Sequence, residues 1–93
     1  KTTYSGFYAT DLDDILRSLH GKQGANTLIL TGLHTDCCVR HTAADAFFRG
    51  YEVVVAEDGV QAFSEPQHRV GLQYVQYWYL ADVLPIKTVI KRL

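Results

Sequence analysis

The sequence predicts an α/β fold, a three-layer α-β-α Rossmann-like arrangement around a parallel sheet. Three observations predict it. Two unbroken apolar runs, 27–33 and 51–58, read as strands covered on both faces. The segments around them repeat apolar residues at helical spacing. The resulting order, helix, strand, helix, strand, helix, strand, is what right-handed β-α-β crossovers produce.

The first helix is "YATDLDDILRSLHG". Thr10 suits its cap, Asp11 and Asp13 suit its positive end, and Gly21 suits its stop. Leu12, Ile15, Leu16 and Leu19 fall on one face. The loop "GKQGAN" leads to the strand "TLILTGL" (27–33). A second helix follows, with Val39, Thr42, Ala43, Ala46 and Phe47 along one stripe and Gly50 as its stop. "YEVVVAED" (51–58) is the second strand. Ser64-Glu65-Pro66 opens a third helix with a cap and an early proline. Leu72, Val75 and Tyr79 form its apolar stripe, with Trp78 on the flank. Leu84-Pro85 breaks that helix, and "IKTVIKRL" (86–93) reads as a last strand.

Composition narrows the function. The chain is 47% hydrophobic and 20% charged with a net charge of −1, the balance of a globular protein and not of a disordered one. Acids and bases are mixed, so no basic patch marks nucleic acid or a membrane surface as partner. No apolar run nears the roughly 20 residues of a membrane span, and no signal peptide is read. The two cysteines are neighbours, too close for ordinary disulfide geometry, and read as thiols of a reducing, cytoplasmic compartment. Three strands leave the apolar run 27–33 as an open edge. Residue 1 is Lys and the chain has no Met. The expectation is that further strands come from an N-terminal segment or from a companion chain.

The chemistry-bearing stretch is "TGLHTDCC", at the carboxyl end of the first strand, where open α/β sheets bind ligands. A thiol in the first turn of a helix meets unpaired N–H groups and the positive end of the helix dipole. Both favour thiolate, and the same N–H groups can receive an oxyanion. The position suits covalent acyl transfer. A buried structural cysteine fits it equally well.

"TGLHTDCCVRHTAADAFFRGYEVVVAED" resembles the signature of the isochorismatase-like cysteine hydrolases, the superfamily that includes nicotinamidases. Gly32, Thr35, Asp36, Cys38, Val39, Thr42, Ala43, Asp45, Ala46, Gly50, Tyr51, Val53 and Asp58 match its pattern. The opening "KTTYSGFYATDL" is similar to the family's lysine motif. The resemblance implies that Cys38, directly before Val39, is the nucleophile and that Lys1 is the catalytic lysine. It implies an oxyanion hole from the backbone N–H groups of Cys38 and His34, with a cis peptide between Leu33 and His34. Cys37 falls on a variable position and reads as filler. The resemblance further implies a six-stranded sheet in the order 3-2-1-4-5-6, with residues 1–93 as the C-terminal half of a single domain supplying the last three strands. The family's catalytic Asp lies in the other half, as do the ligands of a divalent metal (zinc in nicotinamidases). No cofactor is expected on this chain itself.

The remaining candidates divide between packing and chemistry. Tyr4 and Phe7, close to Lys1, read as packing or as substrate contacts. His20, His41 and His68 lack metal-ligand spacing, and His41 and Arg40 read as helix surface. Asp45 and Asp58 read as structural carboxylates. No Arg stands at C-x5-R spacing, which excludes a phosphatase loop. "YVQYWYL" reads as core on one face and an oligomer contact on the other. The expected activity is hydrolysis of a small amide, nicotinamide to nicotinate and ammonia. The spacing from Lys1 to Tyr4-Ser5-Gly6-Phe7 is shorter than in archetypal nicotinamidases and keeps carbamoyl or ureido amides open. Isochorismatase-type vinyl-ether hydrolysis is a further alternative within enzymes. The reading of another class is a non-catalytic half that acts as an interaction module.

Overall fold

The structure, a computed structural model, describes residue 1 and residues 3–93. Its elements run α1 (Leu12–Lys22), β1 (Thr27–Leu33), a π-helical turn (Thr35–Val39), α2 (Arg40–Phe48), β2 (Glu52–Gln61), α3 (Glu65–Trp78), β3 (Asp82–Leu84) and α4 (Ile86–Arg92). The strands form one parallel sheet in the order β1-β2-β3. This is the predicted α/β architecture.

The core lies where α2 and α3 cover the sheet. Val39, Ala43 and Ala46 from the second helical segment meet Val53 and Val55 of β2 and Leu72 and Val75 of α3, all buried. Small residues on α2 let it sit close to the sheet. Gly50, at φ +90°, takes the chain out of α2 in a conformation that favours glycine. Ser64 caps α3, accepting a hydrogen bond from Gln67 N–H at 3.3 Å, with a proline in the first turn.

The last strand is corrected. Residues 86–92 form α4, and β3 is the short stretch Asp82–Leu84 before the proline. Pro85 is itself extended (ψ 149°), and it holds the residue before it away from helix. Ile86, Val89 and Ile90 stand at helical spacing, and Val89 is buried. α3 also ends earlier than expected. It stops at Trp78, and Leu80 takes a φ of +53° while Ala81 N–H reaches back to the Val75 carbonyl at 3.2 Å.

Two further expectations shift. α1 loses regular helical backbone from Leu19, one turn before its nominal end, and His20 and Gly21 both take positive φ. Leu12 and Leu16 pack on the core, whereas Ile15 and Leu19 are exposed. β1 is apolar but not covered: Ile29 and Leu33 are exposed on this edge strand. β2 runs past 58 through an irregularity. Leu30 pairs with Val55 but Gly32 pairs with Val60, and Ala56 still pairs with Leu84 of β3, so residues 57–59 bow out of the ladder.

Candidate active site

The site is built on the connection from β1 to α2. The peptide bond between Leu33 and His34 is cis. His34 then opens the π-helical turn, and its carbonyl accepts from Cys37 N–H at 3.0 Å and Val39 N–H at 3.1 Å, on either side of Cys38. A π turn is wider than an α turn, and such turns concentrate at functional sites. Thr35, only 1% exposed, anchors the turn from below. Its hydroxyl bonds His68 Nδ1 on α3 at 2.7 Å. On the same helix Gly71 presses against the turn: a Cβ there would stand 2.9 Å from Asp36 N and from the Thr35 carbonyl.

Lys1 and Cys38 line one cavity of about 110 Å³, with Leu30, Thr31, Leu33, Val39 and Thr42. Thr42, one helical turn after Cys38, accepts from Gly6 N–H at 3.0 Å. That bond ties the N-terminal segment carrying Lys1 to the helix carrying Cys38. Ser5 is buried and accepts from Phe7 N–H at 3.1 Å, which bends the segment back on itself. Thr10 continues the tether, donating to Gly6 O at 2.7 Å and accepting from Leu12 N–H at 3.3 Å.

The other candidates fall as follows. Phe7 takes the packing role: it is 4% exposed, packed on Tyr51 at 5.9 Å with the Arg49 guanidinium over its ring. Its apolar bulk fixes the Lys1 segment from inside. Tyr4 is 57% exposed and lies against the His41 ring at 5.6 Å. His41 is exposed, and its Nδ1–H donates to Cys37 O at 2.6 Å. Cys37 and Cys38 are both free thiols. Burial, then the neighbouring Cys38, hold the Cys37 thiol above its ordinary range, which disfavours it as a nucleophile. Asp45 pairs with Arg49 at 3.2 Å. Asp58 Oδ1 accepts from Ile86 N–H at 2.7 Å, so the bow in β2 serves to cap α4.

Among the described residues, no group of three or more His, Cys, Asp or Glu is placed to hold a metal ion. His41 and His68 are already engaged with Cys37 O and Thr35 Oγ1. These residues do not fit a zinc site. Among the described residues, no helix is long and apolar enough to cross a membrane.

His68 and Phe63 were not singled out as functional by the sequence. Phe63 stacks on the His34 ring, with centroids 4.2 Å apart and planes at 23°. Both residues come from the β2–α3 side of the sheet, far from Cys38 in sequence, and no local pattern connects them to it.

A parallel sheet with a thiol turn at its carboxyl edge, a cis peptide before it and a lysine beside it defines a class. Residues 1–88 match the isochorismatase domain model, and the chain belongs to the isochorismatase family. It is 40% identical over 86 residues to the ureidoacrylate amidohydrolase RutB of Methylobacterium radiotolerans, covering 89% of this chain and 32% of that protein. The crystal structure of the nicotinamidase/pyrazinamidase PncA of Bacillus subtilis superposes with a TM-score of 0.81 at 39% identity, over 90% of this chain and 44% of that one. The N-carbamoylsarcosine amidase of Thermoplasma acidophilum gives 0.77 at 46% identity, over 91% and 45%. The chain thus spans less than half the length of each of these relatives.

Proposed function

We propose that this chain carries the nucleophile of a cysteine hydrolase that cleaves a small amide C–N bond through a thioester acyl-enzyme. The observation that carries the reading is the shared cavity of Lys1 and Cys38 beside the turn that opens at His34. In it, the Cys38 thiolate attacks the amide carbonyl. The Lys1 ammonium, lining the same cavity, stabilises the charge that develops on the tetrahedral intermediate. The backbone N–H groups of Cys38 and His34 receive the oxyanion. The amine leaves as ammonia, and water hydrolyses the thioester to release the acid and restore the thiol.

The leaving amine needs a proton. The resemblance assigns that task to an Asp in the family's N-terminal half, and residues 1–93 correspond to the C-terminal half of one domain. The two unpaired thiols favour a reducing cytoplasm, and the exposed rings of Tyr77 and Trp78 favour a homo-oligomer. Any divalent metal would belong to the N-terminal half. Nicotinamide, giving nicotinate and ammonia, is the leading substrate. The relatives acting on ureidoacrylate and N-carbamoylsarcosine supply the second reading, a ureido or carbamoyl amide.

The test is ammonia release by the purified protein, with a denaturing intact-mass spectrum of the same material to show which polypeptides are present. Cys38→Ala should lower the rate at least about 10³-fold with an unchanged circular dichroism spectrum. Activity that survives in Cys38→Ala rejects the thioester route. Turnover of a vinyl ether without ammonia would reassign the enzyme to the isochorismatase type. A lone 10.5 kDa species without amide turnover would leave this chain as an interaction module.

A further inference from the structure

The turn that presents Cys38 is gripped from one side by α3. Thr35, its first residue, is 1% exposed, and Val39, its last, packs in the core with Leu72 and Val75. Cys37 and Cys38, between them, are only half-buried. The position of the thiol therefore follows from how the two ends of the turn are held. Two residues of α3, His68 and Gly71, stand on one face of that helix and act on the first end. Gly71 lets α3 come close: a Cβ there would stand 2.9 Å from Asp36 N and from the Thr35 carbonyl. His68 supplies direction, with its Nδ1 at 2.7 Å from Thr35 Oγ1.

Packing alone does not ask for this pair. A buried hydroxyl costs free energy unless it is bonded, and a valine fills nearly the same shape with no such requirement. What the bond adds is a fixed orientation. Thr35 directly follows His34, whose carbonyl accepts from Cys37 N–H at 3.0 Å and Val39 N–H at 3.1 Å. A rotation at Thr35 is thus passed to the backbone on both sides of Cys38. Among the described residues, His68 does not line the Cys38 cavity, so any effect on the site runs through Thr35.

We propose that His68 is a positioning residue: through Thr35 it sets the His34 amide for the oxyanion and so speeds acyl transfer to Cys38. The proposal rests on the reading of Cys38 as the nucleophile and of the His34 and Cys38 amides as the oxyanion hole. Its test compares two reactions at one sulfur in the purified protein. With p-nitrophenyl acetate, the Cys38 thiolate adds to the ester carbonyl, an oxyanion forms, p-nitrophenolate leaves and a thioester remains. With iodoacetamide, the thiolate displaces iodide at a saturated carbon, and no oxyanion forms. Fragment-ion mass spectrometry separates each product at Cys38 from that at Cys37.

His68→Ala should slow acylation about 10-fold, a fraction of the roughly 10²–10³ lost with a whole oxyanion donor. Alkylation should stay within about 2-fold, because the Gly71 and Val39 contacts still hold the thiol. His68→Asn keeps a polar atom near the place of Nδ1 and should recover most of the acylation rate. Thr35→Val removes the hydroxyl without leaving it orphaned and should slow acylation as His68→Ala does. Adding His68→Ala to Thr35→Val should cost nothing more, and this pair carries the test if His68→Ala alone does not fold. A merely structural role would lower both rates together. That result, or unchanged acylation in Thr35→Val, or no recovery in His68→Asn, overturns the proposal, and it does so alone if the wild type releases ammonia. Acylation of wild-type Cys38 no faster than that of Cys37 overturns it together with the nucleophile reading. A His68-dependent ratio of acylation to alkylation without ammonia release supports it and rejects the amidase reading instead.

Discussion

The two ends of the sheet are built on opposite terms. At the carboxyl end, the 35–39 turn is held by backbone contacts and by single polar bonds, His68 to Thr35 and Gly6 to Thr42. At the amino end, where α2 and α3 finish, rings do the work. Phe47, Phe48, Tyr74 and Tyr79 lie with centroids 5.8 to 6.0 Å apart, and Trp78 and Tyr77 extend the cluster outward. The first end fixes positions of backbone amides. The second is a cluster of rings, with Phe48, Tyr77 and Trp78 exposed, and does not depend on any one geometry. The carboxyl end should therefore be intolerant of small changes, and the amino end tolerant of larger ones.

The largest effect is expected from Gly71→Ala. The added methyl meets backbone atoms of Thr35 and Asp36, which cannot swing aside as a flexible side chain would. Overpacking of this kind costs about 1–3 kcal/mol, a drop of roughly 10 °C in Tm for a domain of this size. Because the strain falls on the turn, the rate of Cys38 alkylation should change as well. A lower Tm with an unaltered alkylation rate would break the comparison. Tyr79→Leu, at the other end, removes contacts with three rings but leaves an apolar side chain. It should cost about 1–1.5 kcal/mol and leave Cys38 alkylation within about 2-fold. An equal effect on the thiol would show that the ends are coupled through α2.

Asp58→Ala falls below both in size. It removes the acceptor for Ile86 N–H and should cost about 1 kcal/mol, as loss of a helix cap does. Hydrogen exchange should quicken in α4 and not in the 35–39 turn. Asn at 58 keeps an acceptor oxygen and should restore most of the protection.

The same contrast explains what was legible beforehand. The Cys38 turn and α2 could be read because their requirements are local: a thiol at a helix start, small residues on the buried stripe, Gly50 at a positive φ. Lys1 joined them through a second local motif. Phe63 and His68 could not be read, because they reach the turn across the sheet from the β2–α3 side, and nothing near Cys38 encodes them. Phe7, which the sequence leaves open between packing and a substrate contact, is buried for a related reason. Its neighbour Lys1 faces the cavity, but the bend at Ser5 turns the ring inward. The sequence reads 86–93 as strand because Thr88, Val89 and two Ile residues are β-branched. Propensity of that kind is weak, and the helical spacing of Ile86, Val89 and Ile90, with an acceptor at Asp58, overrides it.

The smallest effect tests whether the covering helix α1 belongs to either end. Its tie to the sheet is polar: Tyr51 Oη donates to Asp13 Oδ1 at 2.7 Å, and Arg17 bridges from Asp13 at 3.1 Å to the Arg49 carbonyl at 2.8 Å. The Tyr51 hydrogen bond, then that of Arg17, hold the Asp13 carboxyl below its ordinary range. Burial, then the bond to Asp13, push the Tyr51 phenol above its own. The signs are opposite. Asp13 binds a proton more weakly folded than unfolded, so its contribution is full above the ordinary carboxylate value and fades as pH falls below about 4. Tyr51 binds its proton more tightly folded, so its contribution is full below about pH 10 and fades above it. Tyr51→Phe should flatten both limbs of a stability–pH curve relative to wild type, whereas Asp13→Asn should flatten the acid limb fully and the alkaline limb only in part. Denaturant midpoints across pH 2–11 would check this. If both variants keep the wild-type acid limb, the bond does not hold α1 to the sheet, and the helix rests on Leu12 and Leu16 alone.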